Sequence, residues 1–254
     1  MTKWDLKGKR ALVTGGTKGI GRAIAEEFLG LGAEVMIVAR NSKEVHATVA
    51  EWQGKGWPVW GVVADVSIEE NRQWIEAAIK ERWGRLDVLV NNVGTNIRKK
   101  LVDYIEEEYR QVFEVNLFAT IAMCRLCQPY LMLGIGSSVV NIASVAGSVD
   151  VGSGAPYGMT KAALIQLTRN LAAEWAEFGI RVNAVSPWYT DTPLVGPVLS
   201  QPERLQRIID RTLLNRVAQA EEVAATVAFL AMDKSSYITG QNIAIDGGMG
   251  AKGL

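Results

Sequence analysis

Residues 14–21 read Thr14-Gly15-Gly16-Thr17-Lys18-Gly19-Ile20-Gly21, four glycines in eight positions between a short apolar run and an amphipathic stretch. The run before them, Arg10–Thr14, has the composition of a buried strand. In the segment after them Ile20, Ala23, Ile24, Phe28 and Leu31 form one helical stripe, and Gly32 supplies a stop. Glycine serves a strand-to-helix loop in three ways: it permits a tight turn, lets backbone approach a pyrophosphate, and lets helix pack closely on strand. The helix start then offers free N–H groups and a positive dipole end to the anion. Glycine clusters also occur in ordinary turns, so it is the strand-loop-helix setting that predicts a dinucleotide site held by Gly15, Thr17, Lys18, Gly19, Ile20 and Gly21.

Working outward, further runs rich in Val and Ile recur at Glu34–Ala39, Val59–Ala64, Asp87–Asn91, Ser138–Ala143, Arg181–Val185 and Asn242–Ile245. Their apolar character is nearly continuous, which predicts strands buried on both faces. Helical patterns separate them, so the expected fold is α/β: a Rossmann-type doubly wound parallel sheet of about seven strands with helices on both faces. Ligands then bind at the carboxyl ends of the strands. No linker, repeat or low-complexity tract interrupts the pattern, and residues 1–254 are read as one dinucleotide-binding and catalytic domain.

Lysine plus arginine and aspartate plus glutamate each total 27, giving zero net charge. Neither nucleic acid nor an anionic membrane is therefore an expected partner; small molecules and other copies of the chain are. The start, MTKWDLKGKR, lacks the apolar core of a signal peptide, and no run approaches a membrane span, so a cytoplasmic location is expected. Cys124 and Cys127 have Cys-x-x-Cys spacing, but there is no second pair and His46 is the only histidine. No metal site is expected, and zinc alcohol dehydrogenase and Ser-His-Asp hydrolase chemistry both lack their residues.

Cofactor choice turns on the end of the second strand, where an NAD enzyme usually places an acid for the ribose 2′-hydroxyl. Here the chain reads IVARN, with no acid between Val35 and Asn41. Arg40 and Lys18 are positioned to converge on a 2′-phosphate instead, which favours NADP(H). The bland alternative is two solvated surface cations.

Tyr157 and Lys161 lie four residues apart at the start of a long helical stretch, hence on one face, and the ammonium, helped by the positively charged nicotinamide of an oxidised cofactor, is expected to draw the phenol's pKa down. Tyr-x-x-x-Lys alone is a common accident. Two further residues add to it: Ser144 ends a buried strand at the carboxyl edge of the sheet, and Asn116 sits inside a helical segment with no local use for an amide. Each also admits a structural role, as a strand end or a helix cap.

The Gly-x-x-x-Gly-x-Gly spacing of the loop, NNVG at residues 91–94, and the order Asn116, Ser144, Tyr157, Lys161 resemble the short-chain dehydrogenase/reductase family, over essentially the whole chain. The resemblance implies an Asn-Ser-Tyr-Lys tetrad. In it Tyr157 is general acid/base, Ser144 holds the carbonyl oxygen, Lys161 binds the nicotinamide ribose and tunes Tyr157, and Asn116 supports a water relay. It also implies that Asp65, followed by Val66, meets the adenine, that Asn92 and Gly94 belong to the family's NNAG turn with Val93 for alanine, and that Thr192 contacts the nicotinamide carboxamide. NNVGTNIRK, EWAEFGIRVNAVSPWYTDTPL and SYITGQNIAIDGG are similar to the tropinone reductase-like branch.

That likeness implies a ketone/alcohol substrate and a homotetramer or homodimer. Ser144, Trp188, Tyr189 and Leu194 are the expected pocket, with Val195, Val198 and Leu199 continuing a lid; Trp188 and Tyr189 are equally well read as packing on their own scaffold. Three rival functions are an NAD-linked alcohol dehydrogenase, a 3-oxoacyl reductase and a cofactor-binding protein without chemistry.

Overall fold

Strands β1 (Arg10–Thr14), β2 (Glu34–Ala39), β3 (Val59–Val63), β4 (Val88–Asn91), β5 (Ser138–Ile142), β6 (Arg181–Pro187) and β7 (Asn242–Ile245) pair in the order 3-2-1-4-5-6-7. Every pairing is parallel. The computed structural model describes residues 4–252, so residues 1–3 and 253–254 of the expected unit lie outside the described residues. After β3 the chain returns to pair β4 on the free side of β1, with Val13 opposite Val90. This reversal opens a crevice at the carboxyl ends of β1 and β4, where the glycine loop and the Asn92–Gly94 turn begin.

Helices α1 (Gly19–Gly30), α2 (Ser42–Gly54), α3 (Glu69–Arg82), α4 (Glu106–Phe113), α5 (Ala119–Leu131), α6 (Ala155–Glu174), α7 (Gly196–Leu199), α8 (Pro202–Arg211) and α9 (Ala220–Ala231) connect and cover the strands. Alternate residues of β1 feed two separate cores. Ala11 and Val13 join Ile24 and Phe28 of α1 and Val223 and Val227 of α9, whereas Leu12 joins Ile79 of α3 and Met123 of α5. Each such fully buried large apolar side chain contributes about 1.5–3 kcal/mol. Among the described residues no helix is long and apolar enough to cross a membrane.

The expectation of burial on both faces holds for the central strands and fails at β3 and β7. Gly61 and Ala244 are exposed, because each of these strands ends the sheet and has a neighbour on one side only. Strand β6 runs two residues beyond the expected Val185, since Ser186 and Pro187 keep register with Ala244 and Ile245. Between α4 and α5, residues Glu114–Phe118 form a π-helical turn, a rare element that recurs at functional sites.

Candidate active site

The glycine loop is shaped by close contacts that leave no room for side chains. Gly15 has φ +68°, and a Cβ there would stand 2.7 Å from the Asn92 amide nitrogen. A Cβ on Gly21 would collide with the Gly15 carbonyl and the same Asn92 nitrogen, so α1 can start against the loop only as glycine. Thr14 and Asn92 fasten the two sides of the crevice. The Thr14 hydroxyl donates to the Val90 carbonyl (3.2 Å) and accepts from the Asn92 backbone N–H (2.9 Å), while the Asn92 amide donates to the Thr14 carbonyl (3.0 Å). Asn92 thus shapes the loop with its side chain. Thr192 lies over the same loop, its Cβ 3.2 Å from where a Gly19 Cβ would be. A cradle that only glycines can line, beside the first turn of a helix, fits a dinucleotide pyrophosphate.

At the other end of the crevice the two expected cations each meet an acid. Lys18 pairs with Glu44 (2.7 Å) and Arg40, which is 75% exposed, with Asp65 (3.4 Å). Glu44 escaped the sequence reading because it belongs to α2 and not to the strand end. Its signal was the Asn41-x-x-Glu44 spacing: the Asn41 side chain accepts the Glu44 backbone N–H (3.2 Å) and donates to its carboxylate (2.9 Å). The Thr17 hydroxyl also reaches Glu44 (3.4 Å). Burial alone would raise Asp65, but two hydrogen bonds from Ser67 and the Arg40 charge outweigh it and hold the carboxyl below its usual range. Val66, beside it, is buried.

Tyr157 and Lys161 stand on the first turns of α6, with the Lys161 Nζ 5.6 Å from the centre of the tyrosine ring. Lys161 is buried and donates to the Ile142 carbonyl at the end of β5 (2.7 Å); desolvation pushes its pKa down to about 8. Without the nicotinamide's charge, the phenol in the chain alone moves upward. Burial raises its pKa, Ser144's hydroxyl and the charge of Arg98 pull it only partly back, and Tyr189 adds to the rise. Lys161 does not lower the phenol in the chain alone, because the lysine, brought down to about 8 by burial, has given up its proton before the phenol ionises. Ser144, with extended backbone (φ −171°), accepts the Ala146 N–H (3.2 Å) and keeps its hydroxyl proton free to point toward Tyr157.

Asn116 has a clear use for its amide. Its Oδ1 accepts the Thr95 backbone N–H (2.7 Å), and its Nδ2 donates to the Thr95 carbonyl (3.0 Å) and the Thr160 hydroxyl (3.1 Å). Thr160 in turn donates to the Tyr157 carbonyl (2.8 Å). The π-helical turn aims the fully buried Asn116 inward and ties the loop after β4 to the helix that carries Tyr157. A Cβ on Gly94 would stand 3.5 Å from both Asn116 Oδ1 and Lys161 Nζ, so both groups converge there. Thr160 and Thr95 were not legible as site residues, since neither carries a motif.

On the substrate side, the Trp188 indole donates to Thr212 (3.1 Å) and its backbone N–H to Ile245 (3.0 Å), with Tyr189 packed edge-on at 4.6 Å. Trp188 is thereby anchored to the scaffold, while Tyr189 lies near enough to add to the rise of Tyr157. The expected lid is divided: Val198 in α7 is buried, but Leu194 is 47% exposed. Cys124 and Cys127 are buried in α5. Desolvation pushes Cys124 up to about 12 and Cys127 well above its ordinary value, so both are inert packing thiols.

A parallel sheet with a glycine cradle at its switch point and a tyrosine-lysine-serine cluster at its carboxyl edge is the frame of a nicotinamide-dependent oxidoreductase. The family model described as enoyl-(acyl carrier protein) reductase matches residues 15–250, and the chain belongs to the short-chain dehydrogenase/reductase family. A tropinone reductase homolog of Arabidopsis thaliana (At5g06060) is 46% identical over 253 residues, 99% of this chain and 96% of the relative. A second Arabidopsis thaliana tropinone reductase homolog (At2g29260, chloroplastic) is 45% identical over 99% of this chain and 79% of the relative. Among solved structures, a putative gluconate dehydrogenase from Agrobacterium tumefaciens superposes with TM-score 0.94 at 33% identity, covering 98% of both chains. A gluconate 5-dehydrogenase from Burkholderia cenocepacia, in complex with NADP and tartrate, gives 0.94 at 28% identity over 99% of both.

Proposed function

We propose that the chain reduces a ketone to a secondary alcohol with NADPH, using Tyr157 as general acid. The observation that carries this is the placement of Tyr157, Ser144 and Lys161 around one point at the carboxyl edge of the sheet, beside the glycine cradle. The bound dinucleotide supplies the hydride. Ser144 donates to the substrate oxygen and aligns it, and the phenol, held protonated by burial, delivers its proton as the oxygen gains charge. Lys161 steadies the resulting phenolate, and Asn116 fixes the loop and helix on either side of the proton path. Run backward, the same groups oxidise an alcohol.

NADP(H) is favoured because Arg40 and Lys18 flank the adenosine end with no acid between Val35 and Asn41 at the carboxyl end of β2, and the Burkholderia neighbour holds NADP. A 2′-phosphate would compete with Asp65 and Glu44 for the two cations. Relatives named for tropinone suggest a cyclic ketone, and neighbours named for gluconate suggest a hydroxylated acid as the second reading. Cytoplasmic location, a single domain and a homotetramer complete the proposal; exposed Ala244 and its half-buried neighbours in β7 supply an unpaired edge for self-association. The test is NADPH consumption over a panel of cyclic and linear ketones at neutral pH, with NADH beside it. Turnover with ketones and a preference for NADPH are expected; inertness toward every ketone, and toward the alcohols with NADP+, overturns the reading.

A further inference from the structure

The loop after β4, residues 92–100, carries polar side-chain atoms that are buried and have no partner within the described residues: both amide atoms of Asn96, and Nε of Arg98. Arg98 also forms no ion pair among the described residues. The loop itself is held, since Tyr104 donates to the Ile97 carbonyl between these two residues. A guanidinium partly removed from water and given no carboxylate is a costly arrangement unless something binds it.

Arg98 opens onto a cleft of about 550 Å³ that it lines with Lys99, Lys100 and Arg204, against a single acid, Asp150. Lys99 is engaged by Glu108 at 2.5 Å, and Asp150 accepts the Gly152 N–H at 3.0 Å. The remaining charge is positive, in a chain whose net charge is zero, so the excess is local. Gly154 and Ala155 form another wall of the cleft; they are the cap and first residue of α6, three and two residues before Tyr157. The cleft therefore borders the start of the helix that carries Tyr157, and the first turn of that 20-residue helix adds its positive dipole end there. The Arg98 charge reaches the Tyr157 phenol, opposing the effect of burial on it.

We infer that Arg98 selects ketones bearing a carboxylate, which its guanidinium holds at the cleft between the 92–100 loop and the start of α6 while the carbonyl reaches Tyr157 and Ser144. This rests on the reductase reading and narrows it. Guanidinium and carboxylate match as planar partners, and Asn96, with a donor and an acceptor both free, suits a hydroxyl on the same substrate. A protonated amine ketone would meet like charge in the cleft and be disfavoured.

The test compares three ketones of similar size with NADPH: 4-oxocyclohexanecarboxylate, its methyl ester, and protonated N-methyl-4-piperidone. The expected kcat/KM for the carboxylate exceeds that for the ester by at least about tenfold, carried in KM, with the amine last. Arg98→Gln brings the carboxylate-to-ester ratio to within about twofold of unity, whatever its effect on the absolute rate, and Arg98→Lys keeps part of the preference. The wild-type preference shrinks as salt rises, a readout that stands even if Arg98→Gln fails to fold. Equal use of all three ketones by the wild type, or a ratio unmoved in Arg98→Gln, overturns the inference. Calorimetric titration of the NADP-loaded enzyme with cyclohexanecarboxylate and cyclohexanecarboxamide separates the two levels. Preference for the carboxylate without turnover of any ketone refutes the reductase reading and leaves the anion site standing; equal binding of the two refutes the anion site.

Discussion

Lys161 offers a sharp test of the site because its burial has a calculable cost. Taking its pKa from 10.5 down to about 8 corresponds, at about 1.4 kcal/mol per unit, to a penalty of about 3 kcal/mol on the folded chain at neutral pH. Below pH 8 folded and unfolded chains both carry the ammonium, and the folded chain bears the whole penalty. Between about 8 and 10.5 the folded chain gives up the proton while the unfolded chain keeps it, so the penalty shrinks and stability from this group rises with pH.

The perturbation is Lys161→Met, which fills similar volume without a charge. Its lost hydrogen bond to the Ile142 carbonyl is a constant offset that does not depend on pH. Urea unfolding of the cofactor-free proteins, followed by fluorescence of the eight tryptophans, gives both stabilities. From pH 7.5 to 9.5 the wild type should gain about 2 kcal/mol on the variant, following the linkage integral. Parallel stability curves would refute the claim that Lys161 is a desolvated cation. The same titration should appear in turnover, with kcat/KM for reduction level below about pH 8 and falling above it as the ammonium is lost.

Tyr157→Phe should lower turnover by at least about a hundredfold while NADPH affinity, read by fluorescence titration, moves less than about threefold, because in the proposed reduction the phenol acts on the substrate. Gly21→Ala should weaken NADPH binding by more than about tenfold and lower Tm, since its methyl group strikes the Gly15 carbonyl and the Asn92 amide; overpacking of this kind costs about 1–3 kcal/mol. Arg40→Asp should move the NADPH-to-NADH ratio of kcat/KM by at least about tenfold toward NADH, and an unchanged ratio would remove Arg40 from the cofactor reading. Asn116→Ala leaves a half-buried Thr95 N–H and carbonyl without partners; a stability loss of about 1–3 kcal/mol in denaturant unfolding and a fall in kcat are expected, and neither would follow if the π-helical turn were incidental.

Much of this molecule was legible because its signals are local. Parallel strands buried on both faces announce themselves by composition, so Arg10–Thr14 and Glu34–Ala39 have the bounds read from sequence. The glycine loop was legible because three physical demands converge on one short segment. Pairings across the chain were not legible. Glu44 reaches Lys18 only because α2 folds back over the first βα turn, and Thr160 links Asn116 to Tyr157 only because a π-helical turn rotates the amide inward.

The direction of the Tyr157 shift was missed for the same reason. Four-residue spacing puts Lys161 on the right face but does not say that burial brings the lysine's own pKa down to about 8, nor that Arg98, from a loop more than fifty positions earlier, is the cation acting on the phenol. Tertiary burial, which spacing does not show, lowers the lysine and raises the phenol, and on the phenol it outweighs the charges near it. A phenol kept protonated by its own protein is poised to give a proton, which is what reduction asks of it; oxidation requires that proton to leave first, and in the chain alone burial works against that loss.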